Sequence, residues 1–279
     1  MSSEIVVEGL HFPECPRWHE GRLFFCDMHG DAVLALDPAT GEVAVVAEVF
    51  HPGGIGWLPD GRLLVVASED RAIHEIVADG HRVYTDLSGI APGWVNDILV
   101  DRTGRVYAGN FGYDLFSEDL RPTGLIVVEP DGAAAMQPDA LEFPNGMVKR
   151  SDGKLVVAET FGTCLTTFAI GDDGTLRRES SLPLGDIHPD GICIDAEDHI
   201  WVSTVFTDEV IRVSPDGAQE RHAVSQRSFA CVLGGEDRRT LYVATAPDFE
   251  PAARRAKAEG RIEALRVDVP GIGAQGLGI

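Results

Sequence analysis

Short apolar runs alternate with polar turns along the whole chain. Leu155-Val-Val-Ala158 follows the turn Ser151-Asp-Gly153, and Ala32-Val-Leu-Ala-Leu-Asp37 alternates between apolar and polar positions. Alternation with a period of two is typical of a half-buried strand. Asp-Gly pairs favour tight hairpins, because Gly reaches positive φ without steric cost. The pattern therefore predicts repeated strand–turn–strand units.

Six copies of this unit fill the chain. The first large apolar residues after the turns are Leu23, Leu63, Val106, Leu155, Ile200 and Leu241, at spacings of 40, 43, 49, 45 and 41 residues. A repeat of roughly 40 to 50 residues made of short strands is typical of a four-stranded β-propeller blade. We predict an all-β fold, with one six-bladed β-propeller domain over residues 1–270 and a flexible tail at 271–279.

The two ends of the chain offer a way to close the ring. Residues 4–10 form a strand with no other partner, and residues 260–267 form a last strand after the helical composition of residues 251–258. Pairing the N- and C-terminal strands would remove exposed sheet edges. A solenoid or two packed sandwiches are the alternatives. The aromatic-rich insertion at 110–123 is either a wall of a binding site or a surface loop.

Composition limits the possible partners. The chain has 44% hydrophobic residues and a formal net charge of −22. Such acidity repels nucleic acids and anionic membranes, and no apolar run approaches the ~20 residues that span a bilayer. Five scattered cysteines without metal-site spacing indicate reduced thiols. We expect a cytoplasmic monomer or weak homodimer that acts on a small molecule.

One position in each blade, about ten residues before the aligned apolar residue, carries the candidate chemistry. The residues there are Glu14, Gly53, Asn96, Asn145, Asp190 and Cys231. Equivalent positions of a radial repeat face the same end of its axis, so Glu14, Asn96, Asn145 and Asp190 bring hard oxygen atoms together. This donor set suits Ca²⁺ first, then Mg²⁺ or Mn²⁺, with Zn²⁺ less favoured. At Gly53 we expect only close backbone approach.

The motifs around these positions resemble a known family. They are Glu14-Cys-Pro-Arg-Trp18, Val95-Asn-Asp97, Phe143-Pro-Asn-Gly-Met147, Pro189-Asp-Gly-Ile-Cys-Ile-Asp195 and Gly260-Arg-Ile-Glu263. They are similar to those of the senescence-marker-protein, gluconolactonase and luciferin-regenerating-enzyme-like family of six-bladed propellers, over nearly the whole chain. The resemblance implies lactone hydrolysis and one divalent metal, usually calcium or zinc, held by Glu14, Asn96, Asn145 and Asp190. It also implies that Asp190 is the general base.

One position departs from this family. Its sugar-lactone hydrolases commonly carry an arginine two residues before the asparagine that corresponds to Asn96, and Trp94 stands there. We therefore expect a pocket that favours an apolar or aromatic substrate. The predicted substrate-binding residues are Trp94, Asp97, Phe111, Tyr113, Phe161 and Phe206, with Phe116 near the same mouth. Asp97 either orients substrate or water, or caps the following strand. Each aromatic residue has a core position as its alternative.

Three functions are compatible with these residues. A metal ion can polarise a lactone carbonyl while a nearby carboxylate takes the proton from water, so a metal-dependent lactone hydrolase is the leading hypothesis. A non-hydrolytic lyase, isomerase or cyclisation catalyst could use the same metal in a drier pocket. A calcium-binding or ligand-binding protein without turnover is the third. For His29 and His188 we expect core or supporting positions.

Overall fold

The computed structural model describes residues 3–115 and 117–272, and the strands in these residues form six four-stranded antiparallel sheets. The first two complete blades along the chain are β2 (Pro13–His19), β3 (Arg22–Asp27), β4 (Ala32–Asp37), β5 (Glu42–Glu48), and β6 (Pro52–Trp57), β7 (Leu63–Ala67), β8 (Ala72–Val77), β9 (Gly80–Asp86). The next two are β10 (Val95–Val100), β11 (Val106–Asn110), β12 (Ile126–Val128), β13 (Ala134–Met136), and β14 (Pro144–Lys149), β15 (Leu155–Glu159), β16 (Cys164–Ile170), β17 (Leu176–Pro183). The fifth is β18 (Pro189–Ile194), β19 (Ile200–Thr204), β20 (Glu209–Val213), β21 (Gln219–Ala223). The sixth is β22 (Arg227–Gly234), β23 (Thr240–Ala246), β24 (Gly260–Arg266) and β1 (Glu4–Leu10).

The sixth blade closes the ring with both ends of the chain. Its strand order is β22, β23, β24, β1, and β1 pairs with β24 in a register that runs from Glu4 opposite Ala264 to Leu10 opposite Gly260. The outermost strand of this blade therefore comes from the N-terminus and the other three from the C-terminal region. The predicted all-β, six-bladed propeller and its closure are confirmed.

Apolar clusters fill the spaces between neighbouring blades. Six such clusters of described residues each join two adjacent blades, and β15 and β19 are buried along their whole length. This explains why the second strand of most blades reads as a continuous apolar run rather than as an alternating one. The outermost strands β5 and β9 are largely exposed. Packing between blades thus holds the innermost strands rigidly around the axis.

Each innermost strand contains a β-bulge near its start. The register breaks between Glu14 and Arg17 in β2 and between Pro144 and Met147 in β14, with equivalent breaks in β6, β10, β18 and β22. A bulge re-aims side chains locally. Neighbouring bulges also crowd each other, since a Cβ on Gly146 would lie 2.6 Å from Ile192 N. Gly residues there permit this approach.

Three further segments bear on the predictions. The insertion folds back on Asn110, whose amide donates to Gly124 O at 2.9 Å. A short helix, α1 (Pro251–Ala256), occupies the segment of helical composition. In the predicted tail, Gly271 N donates to Arg238 O at 2.8 Å and Ile272 packs on an apolar cluster; residues 273–279 lie outside the described residues. Among residues 3–115 and 117–272, no helix is long and apolar enough to cross a membrane.

Candidate active site

The four predicted metal ligands line one cavity at the end of the propeller axis. Glu14, Asn96, Asn145 and Asp190 come from the innermost strands of blades one, three, four and five. Asn96, Asn145 and Asp190 lie within the bulges of their strands, and Glu14 is the paired residue directly before the bulge of β2. Asn96, Asn145 and Asp190 are at least 91% buried, and Glu14 is partly exposed. We refer to these four residues as the floor of the cavity.

Blades two and six contribute no oxygen ligand to the floor. A Cβ on Gly53 would lie 2.1 Å from Ser68 Oγ, and one on Gly54 would lie 2.9 Å from Ile98 N. The expected close approach at this position is therefore present.

For blade six, the alignment of the six repeats within the chain was wrong by two residues. Its first hairpin carries one additional pair, Gly234 opposite Thr240, so that Phe229 rather than Cys231 lies in the bulge and lines the cavity. Cys231 instead faces Cys193 between the blades, at 3.7 Å between sulfur atoms. The floor is thus bordered by an aromatic ring where a thiol was expected.

The two floor carboxylates lie in an environment that disfavours charge. Burial raises the pKa of Glu14 to about 8, and the nearby Asp97 carboxylate contributes to the rise. Burial, together with the carboxylates of Glu14 and Asp97, also raises the pKa of Asp190 well above its usual range. A cation between these carboxylates would favour their charged forms.

The floor amides leave hydrogen-bonding capacity unused. Asn145 Nδ2 donates to Thr160 Oγ1 at 3.2 Å. Asn96 Nδ2 is buried and has no hydrogen-bond partner among the described residues. An unpaired buried amide costs about 1–3 kcal/mol, which indicates a site adapted to an additional group.

The residues present fit a hard divalent cation by the chemistry of their donors. In the described part of the chain, no three His, Cys, Asp or Glu side chains cluster closely enough to hold a metal ion. The floor instead combines two carboxylates with two amides, and carbonyl and carboxylate oxygens are what Ca²⁺ prefers. A soft or imidazole-seeking metal would find no matching ligands in this set.

A buried ion pair lies beside the floor. Asp97 Oδ1 accepts hydrogen bonds from Arg17 Nη2 at 2.6 Å, from Cys15 Sγ at 2.8 Å and from Ile98 N at 2.7 Å. Asp97 does not line the cavity among the described residues, so its predicted contact with substrate is not seen. Asp97 instead lies within β10, where its side chain bonds to the backbone of that strand and pairs with Arg17.

The wall of the cavity is aromatic. Consecutive ring pairs include His51–Trp94 at 5.1 Å, Trp94–Phe111 at 6.0 Å, Phe111–Phe143 at 4.4 Å and Phe143–Phe161 at 5.2 Å between centroids. The series continues from Phe161 through His188 to Phe206 and Phe249. Including its open mouth, the cavity has an empty volume of about 710 Å³.

Most predicted substrate-binding aromatics lie in this wall. Trp94, Phe111, Phe161 and Phe206 line the cavity. Tyr113 does not; it is 97% buried behind Phe143, with 6.2 Å between ring centroids. Phe116 lies outside the described residues. The insertion therefore supplies part of the wall through Phe111 and Leu115 rather than forming a separate surface loop.

Several lining residues were missed from the sequence. They are Phe12, Met28, Leu115, Phe143, Thr160, Val205, Phe229, Phe249 and Pro251. His29, for which a core or supporting position was expected, lines the cavity as well. A signal exists for some of these residues, because in three blades the two residues after the second strand face the cavity. Met28-His29, Thr160-Phe161 and Val205-Phe206 occupy this position after β3, β15 and β19.

Several known proteins are similar to this chain in sequence or in structure. The chain is 26% identical to regucalcin from Xenopus laevis, over 98% of this chain and 95% of that protein. It is 26% identical to the pentonolactonase XacC from Haloferax volcanii, over 88% and 84%. The solved structure of a luciferin-regenerating enzyme superposes with a TM-score of 0.82 at 18% identity, over 98% of both chains.

The family profile described as "SMP-30/Gluconolactonase/LRE-like region" matches residues 12–247. This match includes all four floor residues and every strand of the propeller except β1 and β24. The chain therefore belongs to the SMP-30/gluconolactonase/LRE-like family.

Proposed function

We propose that this protein is a metal-dependent hydrolase that opens a lactone or a related cyclic ester. The observation that carries the proposal is the floor, where Glu14, Asn96, Asn145 and Asp190 line one cavity from four separate blades. A relative named as a pentonolactonase supports the reaction class. Relatives named regucalcin support calcium as the metal.

All four floor residues would hold the cation, and Asp190 would also react. Glu14, Asn96, Asn145 and Asp190 would hold the cation, which when bound polarises the lactone carbonyl and stabilises negative charge on its oxygen. Thr160 orients the Asn145 amide through their hydrogen bond. The Arg17–Asp97 pair links β2 of blade one to β10 of blade three beside the site.

Asp190 is the general base in this proposal. Its carboxylate accepts a proton from the attacking water while the water oxygen bonds to the carbonyl carbon. The ring C–O bond then breaks, and Asp190 returns the proton to the departing ring oxygen. The product is a hydroxy acid. With a cation bound beside it, Asp190 is held in its charged form, so its carboxylate can accept the proton.

The wall selects the body of the substrate. Most of the side chains above the floor are hydrocarbon, and the polyol of a sugar lactone would lose hydrogen bonds to water there without replacement. A flat or apolar lactone can stack on Trp94, Phe111 and Phe161 instead. We infer that the preferred substrate has an apolar or aromatic body.

A panel of lactones tests this proposal. Sugar, alkyl and aromatic lactones would be assayed with chelator-stripped protein to which Ca²⁺, Mg²⁺, Mn²⁺ or Zn²⁺ is restored singly. We expect Ca²⁺ to restore hydrolysis, with aromatic or alkyl lactones preferred. If a metal binds and every lactone survives, hydrolysis is excluded in favour of non-hydrolytic chemistry or simple ligand binding.

A further inference from the structure

His29 is a polar residue built into the aromatic wall. It lies in the short 3-10 turn Met28–Gly30 that follows β3, and it lines the cavity although it is 96% buried. Its ring packs between Phe12 and His51, with 5.3 Å between centroids on each side. The imidazole therefore has little freedom to turn away.

The backbone around His29 is anchored on both sides. Met28 N donates to Phe12 O at 2.8 Å, and the Asp27 carboxylate accepts hydrogen bonds from the amides of His11 and Phe12. On the outer side, Arg255 Nη1 donates to His29 O at 3.3 Å and pairs with Asp31. These contacts fix where the ring lies relative to the floor.

Neither nitrogen of the His29 ring has a partner among the described residues. Nδ1 is buried without a hydrogen bond, and no described residue bonds to Nε2. A buried polar group without a partner is destabilising. By contrast, Thr160 in the same cavity is engaged by Asn145, and His188 bonds to Thr160 O at 3.0 Å.

The imidazole is neutral near neutral pH. Burial lowers the pKa of His29 to about 4, and the neighbouring His51 and Arg255 lower it further, against a smaller opposite effect of Asp31. A neutral imidazole offers one donor and one acceptor. It therefore suits a neutral hydroxyl rather than a carboxylate or a cation.

We propose that His29 is a specificity-determining residue that hydrogen-bonds a hydroxyl group on the otherwise apolar body of the substrate. The substrate class is then a lactone with an aromatic or alicyclic body that carries one hydroxyl group away from the ester. This proposal rests on the proposed function, which supplies the lactone; His29 adds the hydroxyl group. The aromatic wall binds the apolar body of the substrate, and His29 fixes its orientation in the cavity.

Binding of compounds that cannot be hydrolysed tests His29 directly. Chroman, a bicyclic ether, and its hydroxylated isomers would be titrated by calorimetry into the purified protein and into His29→Phe and His29→Gln variants. We expect at least one hydroxychroman to bind the unmodified protein about tenfold more tightly than chroman, which corresponds to about 1.4 kcal/mol and lies within the range of one hydrogen bond. The His29→Phe variant should lose this preference while binding chroman equally well, and His29→Gln should regain part of it.

His222→Phe is the matched control. His222 also has a buried ring nitrogen without a partner, but it packs on Trp201 outside the cavity. The preference should survive in this variant. If no isomer is preferred, or if the preference survives in His29→Phe, the assignment is overturned. A preference without hydrolysis of any lactone would instead refute the proposed function and leave the role of His29 standing.

Discussion

The floor and the wall of the cavity are built differently. The floor residues sit on the innermost strands, at or directly before bulges that packing between blades holds in place. The wall residues sit mainly on connections, and one of them, Phe206, is 44% exposed. The difference separates two tasks, because reaction chemistry needs fixed polar groups while substrate choice depends on shape and apolar contact. Substitutions in the floor should therefore reduce the reaction rate or metal binding, and substitutions in the wall should change substrate preference.

The largest effect should come from the base. Asp190→Asn removes the proton acceptor and one charged ligand, so hydrolysis should fall by about a thousandfold or more. The rate of hydrolysis of an aromatic lactone at saturating Ca²⁺ would measure this. Asp216→Asn, in an exposed turn of the same blade, is the control and should keep the full rate. Comparable rates in both variants would remove Asp190 from the mechanism.

The buried ion pair beside the floor should matter for folding. Arg17→Met leaves the Asp97 carboxylate buried without its cation, which typically costs about 3–5 kcal/mol of unfolding free energy. Urea unfolding monitored by circular dichroism would measure the loss. Arg266→Met, which breaks the exposed pair with Asp237, should leave the midpoint unchanged. Equal midpoints for the two variants would show that the Arg17 pair contributes nothing.

The floor should also bind its metal in a pH-dependent way. Since the pKa of Glu14 is raised to about 8 without metal, a cation must displace a proton below that pH. Calcium affinity should therefore rise by up to about tenfold per pH unit between the usual range of a Glu carboxyl and pH 8. Over the same window the metal-free protein should lose stability, because its unfolded chain already ionises there. Glu14→Gln should make both profiles less steep in calorimetry and urea unfolding, leaving the part that Asp190 contributes; unchanged profiles would contradict this assignment.

The smallest of these effects should appear in the wall. Trp94→Arg places a hydrogen-bond donor fork where the ring stacks near Phe111, so kcat/KM should shift by about tenfold from aromatic toward sugar lactones. Calcium affinity should stay the same, because the floor is untouched. Parallel kinetics on one lactone of each type would measure the ratio. A loss on both substrates alike would show that Trp94 supports the fold rather than the specificity.

The fold and the floor were accessible from sequence because both depend on repetition. Asp-Gly turns and apolar runs set the blade period, and that period brought Asn96, Asn145 and Asp190 into one register. Blade six shows the limit of this reasoning. A single added pair, Gly234 opposite Thr240, moved Phe229 into the place assigned to Cys231. Strand pairing, which no local pattern determines, decides such shifts.

The wall was harder to predict from the sequence because its residues do not share one spacing. Phe12 and Phe249 come from distant parts of the chain and lie near each other only in the closed ring. Asp97 was assigned to substrate because it follows Asn96, and only the structure shows that Arg17 engages it. His29 was expected only in a core or supporting position, but aligning it with Phe161 and Phe206 after equivalent strands would have placed it in the wall.

A coupled calcium titration tests the central claim most directly. Calcium binding to chelator-stripped protein would be followed by calorimetry while the hydrolysis of dihydrocoumarin, an aromatic lactone, is measured at the same calcium concentrations. We predict one calcium ion per chain and an activity that rises with the same midpoint as occupancy. Hydrolysis that persists in the stripped protein, or full calcium occupancy without any hydrolysis, would contradict the account.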